Sequence, residues 1–204
     1  MSTWLRRDFG SAGLTQYPVG AYLGKIQENF GGVVVLCIDV SGSMSGKPLA
    51  GAVRGAKKFA EDAIGAYYEV GVILWHHSIA ASIEPGRELA PVLRFLDAAA
   101  GCGGTDINDA LDAAHGLLGR RSRRTDRVVA IFGDGDLGDR GRAVAKSAVM
   151  RAEDIRILTL GLGDAAARAL DEISTEVNEQ PRTATPHTIS TQIAALATGL
   201  QRRK

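Results

Sequence analysis

The sequence predicts an α/β protein: a mostly parallel sheet with helices on both faces. Two observations carry that reading. Strand-like and helix-like segments alternate along the chain, and the strongest strands are apolar at nearly every position.

Val33–Ile38 is apolar throughout, as expected of a central parallel strand covered on both faces. Similar runs occupy Val70–Trp75, Val128–Phe132 and Ile155–Leu160. Ile79–Ile83 is weaker and close enough to its predecessor to be an antiparallel hairpin partner. Between the strands, Leu49, Val53, Ala56, Ala60 and Ile64 form one helical stripe, with Lys57, Lys58, Glu61 and Asp62 largely away from it. Pro48 suits the first turn of that helix, where a missing N–H costs little. Further stripes are Leu89, Val92, Leu93 and Leu96, then Ile107, Ala110, Leu111, Ala114 and Leu118, and at the C-terminus Ile189, Ile193, Leu196 and Leu200. The first 30 residues are less regular. Leu23, Ile26 and Phe30 suggest a short helix there, and Trp4, Phe9 and Tyr17 are candidates for packing onto the domain or for an arm that meets a partner. The chain therefore divides into an N-terminal extension, 1–31, and one domain, 32–204.

A chain of 204 residues can bury roughly 70% of the surface it exposes unfolded, enough for a core without staples. Its 24 basic and 23 acidic side chains leave a net charge of +1. That balance argues against general electrostatic attachment to nucleic acid or an anionic membrane, though not against a local patch. No segment has the ~18–20 uninterrupted apolar residues of a membrane span, and the N-terminus lacks the apolar stretch of a secretory signal. Cys37 and Cys102 make neither a disulfide framework nor a CxxC pair. The cytoplasm is the expected location, with both thiols reduced.

Open α/β sheets bind ligands at the carboxyl ends of their strands. After the first strand comes Asp39-Val40-Ser41-Gly42-Ser43, a carboxylate and two hydroxyls at alternate positions. All three are oxygen donors, which suit a hard cation such as Mg²⁺, with Mn²⁺ and Ca²⁺ as alternatives that ligand type does not separate. Neutral serine ligands leave the metal electrophilic toward an outside anion. Gly103-Gly104-Thr105-Asp106 precedes a helix, and Gly133-Asp134-Gly135-Asp136 follows a strong strand.

With these three loops the chain resembles the von Willebrand factor A domains and their metal-ion-dependent adhesion site. The family's Asp-x-Ser-x-Ser is met by Asp39, Ser41 and Ser43, its Gly-Gly-Thr by Gly103, Gly104 and Thr105, and its later strand-end aspartate by Asp134. The likeness covers approximately residues 32 to 200. It implies a Rossmann-like, doubly wound sheet of six strands, five parallel and one antiparallel at an edge. It further implies that Ser41 and Ser43 bind the metal directly. Thr105 and Asp134 would do so directly or through water, and Asp39 mainly through water and hydrogen bonds. The remaining position would take an Asp or Glu carboxylate from a partner protein, making the chain a metal-dependent interaction module and not an enzyme. Stand-alone relatives imply, by analogy, a chaperone-like AAA ATPase or a multi-component regulatory system as the setting. One departure stands out: the family usually has Thr where this chain has Gly133. The sixth strand is faint, with Thr183-Ala184-Thr185 the one candidate.

Plainer readings exist for each residue. Ser41, Ser43 and Thr105 could be helix caps or turn residues, and Thr105 could cap a helix while facing the metal. Gly42–Lys47 fails as a P-loop, with three residues between its glycines and Pro48 after the lysine. It also fails as a nucleophile elbow, having Met44 at its centre. Asp134, Asp136 and Asp139 lack the spacing of a calcium loop, so Asp136 and Asp139 read as solvated or helix N-terminal acids. His76-His77 reads as a turn pair, with no further zinc ligands at plausible spacing. Cys37 should face the same side of its strand as Asp39, so it and Cys102 could approach each other beneath the metal. Two rival functions follow. A metal-dependent phosphate-ester hydrolase would have Asp136 and the remote histidines as candidate groups. A nucleic-acid module would use Arg120–Arg124, a cluster that should lie at the end opposite the metal.

Overall fold

A computed structural model describes residues 31–176 and 180–200. The expected helix at Leu23, Ile26 and Phe30, and the packing of Trp4, Phe9 and Tyr17, lie outside the described residues.

Six strands form one sheet: β1 (Gly32–Asp39), β2 (Glu69–Trp75), β3 (Ile79–Gly86), β4 (Asp126–Gly133), β5 (Ile155–Leu162) and β6 (Thr183–Ala184). Their order is β3-β2-β1-β4-β5-β6, with β2 and β3 antiparallel and every other neighbour parallel. This is the Rossmann-like architecture expected from the sequence. Among the described residues six helices cover it: α1 (Lys47–Gly65), α2 (Leu89–Asp97), α3 (Asn108–Gly119), α4 (Arg140–Ala152), α5 (Asp164–Asp171) and α6 (Ile189–Ala195).

All eight residues of β1 are buried, because alternate side chains serve two different cores. Val34, Leu36 and Ile38 pack with Phe59 of α1, Leu96 of α2 and Ile193 of α6. Val33, Val35 and Cys37 pack with Leu111 of α3, Met150 of α4 and Leu170 of α5. The strand order reverses around β1, which has β2 on one side and β4 on the other. The carboxyl ends of β1 and β4 are therefore the place where such a sheet opens a crevice.

Two helices carry too little periodicity to be read from sequence. The buried face of α4 is Ala143, Ser147 and Met150, while its apolar residues Val144 and Val149 are exposed. The eight-residue α5 buries Ala166, Ala167 and Leu170. Both faces are built mainly from small side chains, so the apolar stripe is faint. The weak sixth strand is real but has two residues, paired with Gly161 and Leu162. Among the described residues no helix is long and apolar enough to cross a membrane.

Candidate metal centre

Three loops converge at the carboxyl ends of β1, β2 and β4. After β1, Ser41–Ser45 turns sharply through a 3-10 turn, Gly42–Met44, that Met44 anchors in the core. The Gly42 N–H donates to the Gly103 carbonyl at 3.1 Å, and the Cys102 N–H to the Val40 carbonyl at 2.8 Å. The Asp106 N–H donates to the His76 carbonyl at 2.9 Å. The loop carrying Thr105 is thus fastened to the β1 loop on one side and to the β2–β3 turn on the other.

Within this frame Asp39, Ser41, Ser43 and Asp134 come together. The Ser41 N–H donates to Asp39 Oδ1 at 2.8 Å, and the Ser41 and Ser43 hydroxyls lie 3.0 Å apart. The Ser43 hydroxyl donates to Asp134 Oδ2, and the Asp134 N–H reaches toward Asp39 Oδ2 at 3.4 Å. Thr105 stands half-buried on the neighbouring loop.

The capping alternative does not hold for Ser41 or Thr105. Neither Ser41 nor Thr105 offers a side-chain cap, and α1 begins after Gly46 with Pro48 in its first turn. The start of α3 is held instead by Asp106, whose Oδ1 accepts the Asn108 N–H at 2.8 Å and the Asn108 side-chain amide at 2.7 Å. This corrects the expected double duty of Thr105. Asp139 caps α4 by accepting the Arg142 N–H at 3.0 Å, and Asp136 accepts the Gly138 N–H at 3.0 Å. Both acids therefore act locally on their own loop.

The electrostatics of the site are unusual for a folded interior. Asp39 is fully buried, and burial pushes its carboxyl up to about 6. The Ser41 hydroxyl and N–H work against that rise, and the nearby Asp134 charge adds to it. Among the described residues neither Asp39 nor Asp134 has a cationic partner. Two carboxylates and two hydroxyls thus point at one place with no positive charge to balance them, and a hard divalent cation fits that donor set. Among the described residues no group of three His, Cys, Asp or Glu side chains gathers to hold a metal. The set here differs in kind, since half its donors are neutral hydroxyls.

Two features escaped the sequence reading. His76 and His77 lie beside the Thr105 loop. His76 and His77 stack at 4.3 Å between centroids, and His77 lies against Gly103, where a Cβ would come within 2.8 Å of its Nδ1. Trp75, at the end of β2, also reaches the site. It was hidden in an apolar run where an aromatic reads as core. As for the thiols, Cys37 is sealed in the core with its pKa pushed up to about 12 by burial, whereas Cys102 is exposed, and both are free. The Arg120–Arg124 cluster joins α3 to the start of β4, at the opposite end of the sheet. There Arg121 pairs with Glu69 at 2.9 Å beside a cleft of about 250 Å³.

The family model of the von Willebrand factor type A domain matches residues 34–136. The chain belongs to that family. No curated sequence matches it. Among solved structures, this type A domain is similar to the vWF domain of the type V pili tip protein Mfa5 from Porphyromonas gingivalis, with 13% identity and a TM-score of 0.73, covering 86% of this chain and 98% of that one. It is also similar to a von Willebrand factor type A protein from Catenulispora acidiphila, at 12% identity and TM-score 0.67, covering 85% of this chain and 43% of that one. A third is the manganese-loaded TRAP protein of Plasmodium vivax, at 15% identity and TM-score 0.60, covering 81% of this chain and 72% of that one. At such identities the likeness to these three is one of fold.

Proposed function

We propose that this type A domain is a metal-dependent protein-interaction module. Asp39, Ser41, Ser43, Thr105 and Asp134 hold one divalent cation, of which Mg²⁺ is the first candidate, and a partner protein completes its coordination with an Asp or Glu carboxylate. The observation that carries the reading is the meeting of Asp39, Ser41, Ser43 and Asp134 at the strand ends without a compensating cation among the described residues. Family membership supports it, because type A domains commonly mediate interaction or adhesion. A solved relative of the same fold is manganese-loaded.

Each residue has a physical part. The serine hydroxyls bring oxygen without charge, so two carboxylates balance a divalent ion and leave it able to accept an incoming anion. The buried Asp39 anchors the β1 loop through the Ser41 N–H and would meet the cation mainly through water. Asp134 joins the loop after β4 to that after β1 through Ser43. The cation, when bound, supplies Lewis acidity toward the partner's carboxylate. Among the described residues no side chain beside the four is arranged as a nucleophile with its base, which favours binding over turnover. We place this activity in the cytoplasm, with an AAA ATPase or a multi-component regulatory assembly as the setting, by analogy with stand-alone relatives.

The test is partner capture from native lysate with purified protein, in Mg²⁺, in EDTA, and with Ser41→Ala/Ser43→Ala. Partners retained by the wild type with Mg²⁺ and lost in the other two arms support the reading. Partners retained equally in all three would overturn it.

A further inference from the structure

Gly133 ends β4 beside the cation site, and the structure shows what crowds the room around it. A Cβ on Gly133 would lie 3.1 Å from Asp39 Oδ2, 3.2 Å from Asp39 Cβ and 3.3 Å from Trp75 Cζ2. Each contact is tighter than an ordinary one, so a side chain here would require the carboxylate and the indole to give by a few tenths of an ångström. Trp75 is the register partner of Asp39 across β1 and β2, and its carbonyl accepts the Val40 N–H at 2.7 Å. Both side chains lie on the same face of the sheet, since facing residues of parallel neighbours share a side.

The indole is fully buried, and among the described residues its Nε1 has no hydrogen-bond partner. Cζ2 and Nε1 are bonded to the same ring carbon, so the edge that faces Gly133 is the edge that bears the N–H. Buried indole donors normally find an acceptor. The Asp39 carboxylate lies beside the same point and has capacity to spare. Its Oδ1 takes the Ser41 N–H, whereas its Oδ2 has a long contact of 3.4 Å with the Asp134 N–H.

We infer that Trp75 is a positioning residue of the cation site, its indole N–H serving as donor to the Asp39 carboxylate when the cation is bound. A hydroxyl at position 133 would otherwise be placed to do this. A ring long enough to reach Gly133 and a residue 133 small enough to admit it are then one arrangement, and neither is incidental. The inference rests on the cation reading above. It adds a residue that no metal-ligand pattern contains, held by a neighbouring strand and acting through Asp39.

The experiment titrates the full chain, ¹⁵N-labelled at tryptophan, with Mg²⁺. Wild type, Trp75→Phe and Trp75→Phe/Gly133→Thr are followed by calorimetry and by the indole N–H resonances. Loss of one resonance in Trp75→Phe separates Trp75 from Trp4. The Trp75 N–H resonance is expected to move on cation saturation. Trp75→Phe should weaken Mg²⁺ binding about tenfold, and the double variant should recover most of that loss. A wild type that binds Mg²⁺ while the Trp75 N–H stays unmoved would overturn the inference, as would a Trp75→Phe variant that binds as tightly as wild type. If Trp75→Phe does not fold, the wild-type resonance decides. Should the wild type bind no divalent cation, the cation reading fails and takes this inference with it, a result distinct from the other two.

Discussion

The backbone N–H of Asp134 reaches toward the Asp39 carboxylate at 3.4 Å, so that acids from the ends of two neighbouring strands share one small volume. With Asp39 buried and no cation beside either residue among those described, the metal-free site stores unfavourable charge. Ligand binding should release it.

Divalent cations should therefore stabilise the fold. A ligand at a hundred times its Kd adds about 2.7 kcal/mol, and a domain of this size gains roughly 2–4 °C per kcal/mol. Saturating Mg²⁺ or Mn²⁺ should raise the melting temperature by about 5–10 °C. Ser41→Ala/Ser43→Ala should remove that rise, as read by thermal unfolding with and without EDTA.

The pH dependence has a definite sign. Burial raises the folded-state pKa of Asp39 from 3.8 to about 6. Its contribution to stability is thus fully present below about pH 4 and is lost as pH rises through about 6. In EDTA, urea unfolding should show wild type losing stability relative to Asp39→Asn over that window, by about 2–3 kcal/mol. Protons and cations should also compete: Mg²⁺ affinity should fall as pH drops below about 6, and a flat profile would contradict the ligand assignment.

Gly135 tests the placement of the Asp134 loop. Its φ is +93°, and a Cβ there would stand 2.3 Å from the Ala166 Cα of α5. Gly135→Ala should cost about 2 kcal/mol or more, since both the backbone conformation and the space are wrong. It should also weaken cation binding, because the loop must move. Denaturant unfolding and calorimetry on the same variant check both effects.

Much of this architecture was legible because buried parallel strands write themselves as continuous apolar runs, as in Val33–Ile38. Three oxygen-bearing loops, two after strands and one before a helix, pointed to one site. What escaped has physical reasons. The α4 and α5 faces are small side chains, Ala143, Ser147, Ala166 and Ala167, which carry little hydrophobic signal. Asp106, not Thr105, starts α3 because its carboxylate reaches the Asn108 N–H, and adjacent polar residues in a loop give no hint of which will turn inward. The closeness of His77 to Gly103 depends on the hairpin folding over beside β1, a tertiary fact that spacing does not carry.

The arginine cluster offers a check on the rival nucleic-acid reading. It lies at the other end of the sheet, and Arg121 already pairs with Glu69. Arg120→Glu/Arg121→Glu should leave cation-dependent partner capture unchanged. Salt-sensitive binding of single- or double-stranded nucleic acid, abolished by that variant, would instead favour the rival.

The central claim is that these loops hold a cation, and calorimetric titration of the metal-stripped chain with Mg²⁺ and Mn²⁺ tests it most directly. One site per chain is expected in the wild type and none in Ser41→Ala/Ser43→Ala. Equal uptake by both proteins, or no uptake by the wild type, would contradict it.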